Sequence, residues 1–404
     1  MVCDISLVFP TSPFLINEQV FPPLGIMYLA ANLKKEGFSV ECKDLSQTKD
    51  PSVNSKLVGI SFTTPQRFEA YNLLKYYKEE GKTVIAGGPH PTHMAEECIE
   101  KGFDHVFKGE ADLLLPKFME LFGHDEINPI IYCSDVPIEN IISPDRSVLP
   151  IKEYDYEIDG YKSTALMTTR SCPRNCLFCA KISNKFRKLE ADTVVKEVFM
   201  LRQEYGFKGF MIFDDVFTAD KKRLKTIAQA LSAEDFKFRC FGRSDMLDEE
   251  VIDYLKMMNV VEIGIGVESG SKQILKKNMK RTTPEVNGKA FDLLKNKGIR
   301  AKAFIIVGLP GETEKTIEET KLWLDTYKPD DVDFSLLSPM PGSKLFSNPE
   351  KYNITFNYNG MPLWYKGTPG KYDTTLATEE LTSGRLLQIQ DDLEHQYKRR
   401  ELLK

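Results

Sequence analysis

Short, continuously apolar runs recur along most of this 404-residue sequence, several of them followed by a helix-periodic stretch that closes at a glycine. LVGISFTT and TVIAGG in the first third are apolar at consecutive positions, the pattern of strands covered on both faces. ISLVFP, FSVECKDL and DHVFKGEAD complete that series. Between them, PPLGIMYLAANLKK opens on prolines and stops at Gly37, a helix over 67–80 stops at Gly81, and one over 92–101 stops at Gly102. The alternation predicts an α/β chain that begins with a Rossmann-like, doubly wound parallel sheet. Ligands of such sheets lie at the carboxyl ends of the strands.

A second series follows, with strands ALMTT, GFMIFDD, FKFRCFG, VVEIGIGVE, AKAFIIVG and VDFSLLSP. Helices are expected between them near 191–205, 219–232, 248–258, 284–298 and 312–327. Six βα units predict a partial (β/α)6 TIM-like barrel, where chemistry gathers at the C-terminal strand ends. The stretch between the series is rich in Pro, Asp and Ile without a period. The expected division is a first domain over 1–125, a connecting segment over 126–162, the barrel over 163–345, and a C-terminal extension over 346–404 that ends in a charged helical tail.

Composition narrows the function classes. Hydrophobic residues are 42% and charged residues 28%, the balance of a globular protein. A net charge of -5 argues against a general nucleic-acid surface. The tail carries neither a strongly basic domain nor a second cysteine cluster, which also disfavours action on RNA. No apolar stretch approaches the roughly 20 residues that cross a bilayer. The opening MVCDISLVFP lacks a basic flank and reads as a first strand, so a cytoplasmic protein is expected.

Of eight cysteines, Cys3, Cys42, Cys98, Cys133 and Cys240 stand singly, as small buried hydrophobes do. Cys172, Cys176 and Cys179 fall in one loop, TTRSCPRNCLFCAK, directly after the first strand of the second series. Three thiolates in one loop can ligate three irons of a 4Fe–4S cubane and leave the fourth open for a ligand. Zinc is the alternative, but a structural zinc site takes four ligands, and none of the five histidines lies within 45 residues of the loop. An odd cluster in a cytosolic chain disfavours disulfides.

With Phe178 just before its third cysteine, this loop resembles the signature of the radical S-adenosylmethionine (SAM) superfamily. FDDVFTAD, CFGRSD, GIGVESGS, IIVGLPGET and LSPMPGS follow in the order seen in the subgroup with an N-terminal cobalamin (B12)-binding-like domain. PPLGIMYLAANL, IAGGPHPT and VFKGEAD resemble that domain, so the likeness spans about residues 1–345. The resemblance implies a 4Fe–4S cluster that reductively cleaves SAM to a 5′-deoxyadenosyl radical, with methylcobalamin supplying a methyl group to an unactivated carbon. It implies SAM contacts from Phe178, Asp214, Asp215, Arg243, Glu268 and Ser269. The plainer readings are a helix cap for Asp215 and an ion pair with Asp245 for Arg243.

GIGVES is no dinucleotide fingerprint, since Ser269 stands where a third glycine belongs. GLPGET offers a tight turn and a helix start. Cobalamin contacts are expected from Thr63, Thr64, Gly87, Gly88, His90, Gly109 and Glu110, with ordinary βα turns as the alternative. The cobalamin fingerprint Asp-x-His-x-x-Gly is absent after the first strand, so no histidine from that loop can ligate cobalt. Expected partners are a small-molecule or peptide substrate and an electron donor such as flavodoxin or ferredoxin. Two other readings stay open: a cobalamin-independent radical SAM enzyme with a vestigial first domain, and a non-enzymatic iron–sulfur or zinc protein. PLWYKGTPGKY (362–372) suits either a pocket wall or a folded loop.

Overall fold

The computed structural model describes residues 3–12, 15–123, 126–363 and 373–398. The chain forms two compact units, Met1–Tyr156 with Lys181–Arg187, and Glu157–Ala180 with Lys188–Lys404. Among the described residues no helix is long and apolar enough to cross a membrane.

In the first unit β1 (Ile5–Phe9), α1 (Leu24–Lys35), β2 (Val40–Asp44), β3 (Leu57–Ser61), α2 (Arg67–Glu79) and β4 (Thr83–Gly87) follow the expected alternation. Then come α3 (Pro89–His93), α4 (Ala95–Lys101), β5 (His105–Lys108), α5 (Leu114–Leu121) and β6 (Ile130–Tyr132). The strands form one sheet in the order β2-β1-β3-β4-β5-β6, and all five pairings are parallel. Side chains alternate across the sheet. Val8, Val58, Val84 and Val106 pack on one face with Ala70, Leu74 and Tyr77 of α2 and Ala95 and Cys98 of α4. Leu7, Gly59, Ile85 and Phe107 take the other face with Leu29 of α1 and Leu115 of α5.

The expected connecting segment is mostly part of this unit. Its β6 pairs parallel with β5, and Val136, Ile141, Leu149, Ile151 and Tyr154 are buried. The Tyr154 hydroxyl donates to Asp44 at 2.6 Å. These apolar residues bury without forming a regular element, which is why the sequence there shows no period.

The second unit begins with β7 (Glu157–Ile158) and β8 (Tyr161–Leu166). The two-residue strands β9 (Thr169–Arg170) and β10 (Arg187–Lys188) stand before and after the cysteine loop. The series continues with α6 (Ala191–Tyr205), β11 (Gly209–Ile212), α7 (Lys221–Leu231), β12 (Lys237–Gly242), α8 (Glu249–Met257) and β13 (Val260–Glu268). It closes with α9 (Lys272–Lys277), α10 (Pro284–Lys297), β14 (Arg300–Val307), α11 (Glu314–Tyr327), β15 (Asp331–Leu336), α12 (Lys344–Ser347) and α13 (Ser383–Tyr397). The sheet runs β15-β14-β13-β12-β11-β8-β7, with six parallel strands and β7 antiparallel at the edge. This is the expected half-barrel. The five helices expected between the strands stand within two residues of expectation, while α9 and α12, of six and four residues, leave no period to read. The tail helix α13 buries Leu386, Ile389 and Leu393 and packs on β15 and β14.

Candidate active site

Asp214, just past β11, fixes how the chain leaves β8 toward the cysteines. Its buried carboxylate accepts from the Thr168 N–H at 2.5 Å, the Thr168 hydroxyl at 2.5 Å and the Thr169 N–H at 2.9 Å. Arg223 of α7 braces the same turn, donating to the carbonyls of Leu189 at 2.6 Å and Thr168 at 3.1 Å. Burial raises the Asp214 pKa against those hydrogen bonds. Asp214 therefore holds backbone. Its neighbour Asp215 is exposed, and with burial it helps to raise the Cys172 pKa, so its charge stands beside the loop.

Cys172 and Cys176 are half-buried, Cys179 is exposed, and none of the three is in a disulfide. Among the described residues no three His, Cys, Asp or Glu side chains form a closed single-ion site. The cysteines are instead strung along one loop. Buried Leu177 anchors it, its N–H donating to the Asn278 carbonyl at 3.1 Å. Phe178 is half-buried beside it.

Arg243, just past β12, meets this loop. Its Nε donates to Asp245 at 2.8 Å, Nη2 donates to the Lys280 carbonyl at 2.6 Å, and Nη1 lies 3.8 Å from Cys176 Sγ. Arg174 also donates to Asp245, at 2.9 Å. The ion pair with Asp245 and the approach to the cysteine coexist, because the pair aims the planar fork. Its positive charge works against the burial that raises the Cys172 pKa.

Glu268 ends β13 with φ +66, a left-handed conformation unusual for a non-glycine residue, where the register against β14 shifts. It is 7% exposed and accepts from Lys280 Nζ at 2.6 Å. Ser269 is fully buried: its hydroxyl lies 3.3 Å from that of Thr320 and accepts from the Ser271 N–H at 3.1 Å. In GLPGET, Thr313 caps α11 in a capping box with Thr316, as the turn reading expects. Lys280, Asn278 and Arg223 carry contacts that sequence reasoning passed over. Lys280 and Asn278 sit in a lysine-rich stretch that looks solvated, and burial leaves no mark in composition.

The first unit gathers its expected residues at the carboxyl ends of its strands. Thr63 caps a turn over Thr64–Gln66 and is paired to Gln66. Gly88 has φ +97, and a Cβ there would meet the Phe62 backbone at 3.0 Å. Gly109 has φ +118, and a Cβ would lie 2.5 Å from the Cys133 carbonyl oxygen. Glu110 is clamped by Arg187 through two hydrogen bonds of 2.6 and 2.5 Å, and accepts from the Val136 N–H at 2.9 Å. His90 is fully buried between the hydroxyls of Thr64 and Tyr71, each at 3.2 Å. Burial, then the Arg67 charge, lowers its pKa to about 3, so the imidazole is neutral.

Between the sheet and helices α1 and α5 lies a small apolar slot of about 20 Å³, about the room of one water, lined by Leu7, Leu29, Gly59, Ile85, Phe107 and Leu115. Gly59 stands in register between Leu7 and Ile85, and a Cβ on it would approach Leu7 to 2.9 Å. The slot exists because that row lacks one side chain.

Each expected group has fitting residues: a loop of three cysteines for the cluster, exposed Asp215 and the Arg243 fork for SAM, and Gly87, Gly88 and Gly109 at the strand ends of the first unit for cobalamin. Of PLWYKGTPGKY, residues 364–372 lie outside the described residues.

Residues 166–324 match the Radical SAM superfamily, and residues 17–118 match the B12 binding domain. An uncharacterized methyltransferase of Pyrococcus horikoshii is 28% identical, over 96% of this chain and 91% of that protein. An anaerobic magnesium-protoporphyrin IX monomethyl ester cyclase of Rubrivivax gelatinosus is 27% identical, over 81% of this chain and 66% of that protein. The radical SAM methyltransferase TsrM of Kitasatospora setae, solved with cobalamin and a 4Fe–4S cluster, has the same fold. Its TM-score is 0.72 at 17% identity, over 91% of this chain and 83% of that one.

Proposed function

This chain belongs to the radical SAM superfamily and carries a B12 binding domain ahead of its barrel, and from that premise we propose that it is a cobalamin-dependent methyltransferase acting on an unactivated carbon. The observation that carries the reading is one unit with three cysteines in a loop beside an arginine fork, in a chain whose other unit sets Gly87, Gly88 and Gly109 at its strand ends.

When bound, the cluster supplies an electron to SAM and cobalamin carries a methyl group. The chain's own residues bind and orient. Cys172, Cys176 and Cys179 are the thiolate donors, and the Arg243 guanidinium stands 3.8 Å from Cys176 Sγ. Asp215 is the exposed carboxylate suited to the SAM ammonium group, and the Arg243 fork suits its carboxylate. Phe178 and Glu268 complete the SAM contacts. Asp214 and Ser269 act behind them, on the backbone of the turns that carry them. In the sheet unit, Gly87 leaves open space at the end of β4, while Gly88 and Gly109 let backbone come close. Thr63, His90 and Glu110 shape these turns through Gln66, Thr64 and Arg187.

The substrate class is a small molecule or peptide. A flavodoxin or ferredoxin is the expected electron donor, and the cytoplasm the expected compartment. The likeness to a cyclase favours one second reading: radical SAM chemistry that forms a ring instead of transferring a methyl group. Anaerobic reconstitution with iron, sulfide and hydroxocobalamin separates the cases. About four irons and one cobalt per chain after desalting support the methyltransferase. Iron without cobalt overturns the cobalamin assignment and turns the search to cobalamin-independent chemistry.

A further inference from the structure

The Gly-x-Gly of GIGVES, which the dinucleotide reading leaves unexplained, has a purpose in the half-barrel. Gly264 lies under two rings: a Cβ there would stand 2.6 Å from the Phe304 ring and 2.9 Å from that of Phe241. Gly266 lies under an ion pair, since its Cβ would fall 2.3 Å from Glu268 Oε1 and 2.8 Å from Lys280 Nζ. The second glycine is thus the floor on which Glu268 and Lys280 meet. Both side chains are less than a tenth exposed. Burying two charges is costly unless they are paired and held, so the pair needs its seat.

Lys280 does more than neutralise Glu268. Its carbonyl accepts from Arg243 Nη2 at 2.6 Å. Its N–H donates to the Leu275 carbonyl at 3.0 Å. Its neighbours Met279 and Arg281 have φ +55 and +58, so this residue sits in a tightly wound loop between two left-handed positions. Two residues earlier, Asn278 accepts from Leu177 of the cysteine loop and donates through Nδ2 to Pro310 at 3.2 Å. One short segment after α9 therefore ties together the cysteine loop and the ends of β12, β13 and β14.

We propose that Lys280 is a positioning residue for SAM: its ammonium aims Glu268 and its carbonyl aims Arg243, so that two strand ends present their charges to the cofactor in one fixed geometry. This rests on the radical SAM reading above.

The test uses the full chain, reconstituted anaerobically with iron and sulfide. SAM binding is measured by equilibrium dialysis, and the electron paramagnetic resonance (EPR) signal of the reduced cluster is recorded with and without SAM. In Lys280→Met the iron content should stay at the wild-type level, while SAM affinity falls about ten-fold, or about 1.4 kcal/mol, and the SAM-induced EPR change needs correspondingly more ligand. Lys280→Arg keeps the charge and should recover most of that affinity. Because Lys280→Met leaves a buried carboxylate without its partner, Lys280→Met with Glu268→Gln serves as the second variant. It should bind SAM no more weakly than Glu268→Gln alone, since the lysine acts through the glutamate. Wild-type affinity in Lys280→Met, or additive losses in the double variant, overturns the proposal. A wild-type protein that holds iron but binds no SAM overturns the reading on which it rests.

Discussion

Glu312 is the carboxyl group whose energetics the structure makes most exposed to test. It is fully buried behind the GLPG turn, and its oxygen accepts from the Gly308 N–H at 2.5 Å. Burial pushes its pKa up from 4.5 to about 8, against hydrogen bonds from Gly308 and Leu309 that favour the anion. The group is then neutral in the fold at pH 7 but ionised in the unfolded chain. A raised carboxyl pKa means the folded state binds more protons, so stability falls as pH rises from about 4.5 to about 8 and levels off above that. The gap between 4.5 and 7, at about 1.4 kcal/mol per pH unit, sets the cost near 3 kcal/mol at neutral pH. Gln at this position keeps an acceptor for Gly308 without titrating. Glu312→Gln should therefore stabilise the second unit by up to about 3 kcal/mol at pH 7, a rise in its melting temperature of roughly 6–12 °C. The gain should vanish near pH 5. Anaerobic thermal melts of both proteins from pH 5 to 8 measure it. A variant that melts below wild type, or a difference that does not change with pH, would show that the two backbone N–H groups hold Glu312 ionised and would refute the reasoning.

Replacing Cys172, Cys176 or Cys179 singly with Ala should abolish the brown absorption and lower bound iron after reconstitution, while Cys240→Ala should leave iron binding intact. Asp214→Ala strips the acceptor from two backbone N–H groups and a hydroxyl. It should cost about 3 kcal/mol or more and lower iron incorporation along with the melting temperature. Gly87→Val sets a side chain into the open space at the end of β4, so cobalt retention should fall to background while iron stays at the wild-type level. Unchanged cobalt in that variant would place the cofactor elsewhere.

Periodicity carried the fold because its signals are local. LVGISFTT could only be a strand covered on both faces, and ADTVVKEVFMLRQEY follows its helix to both ends. The cysteine loop was legible for the same reason, since three ligands within eight residues need no knowledge of distant partners. What stayed hidden depends on contacts across the chain. Asp214 and Asp215 are indistinguishable as letters, yet one is buried on the Thr168 turn and the other is exposed, because consecutive residues leaving a strand point to opposite sides. His90, set among glycines at a strand end, reads as a polar group facing a ligand, yet its ring is sealed between Thr64 and Tyr71. Lys280 is one of four lysines in LKKNMK and its neighbours, and only the missing Cβ of Gly266, fourteen positions earlier, makes room for its charge beside Glu268. Glycines therefore record the site better than charged letters do. Gly59 and Gly266 each mark a place where something other than a side chain of that strand must fit: in one an apolar slot, in the other an ion pair.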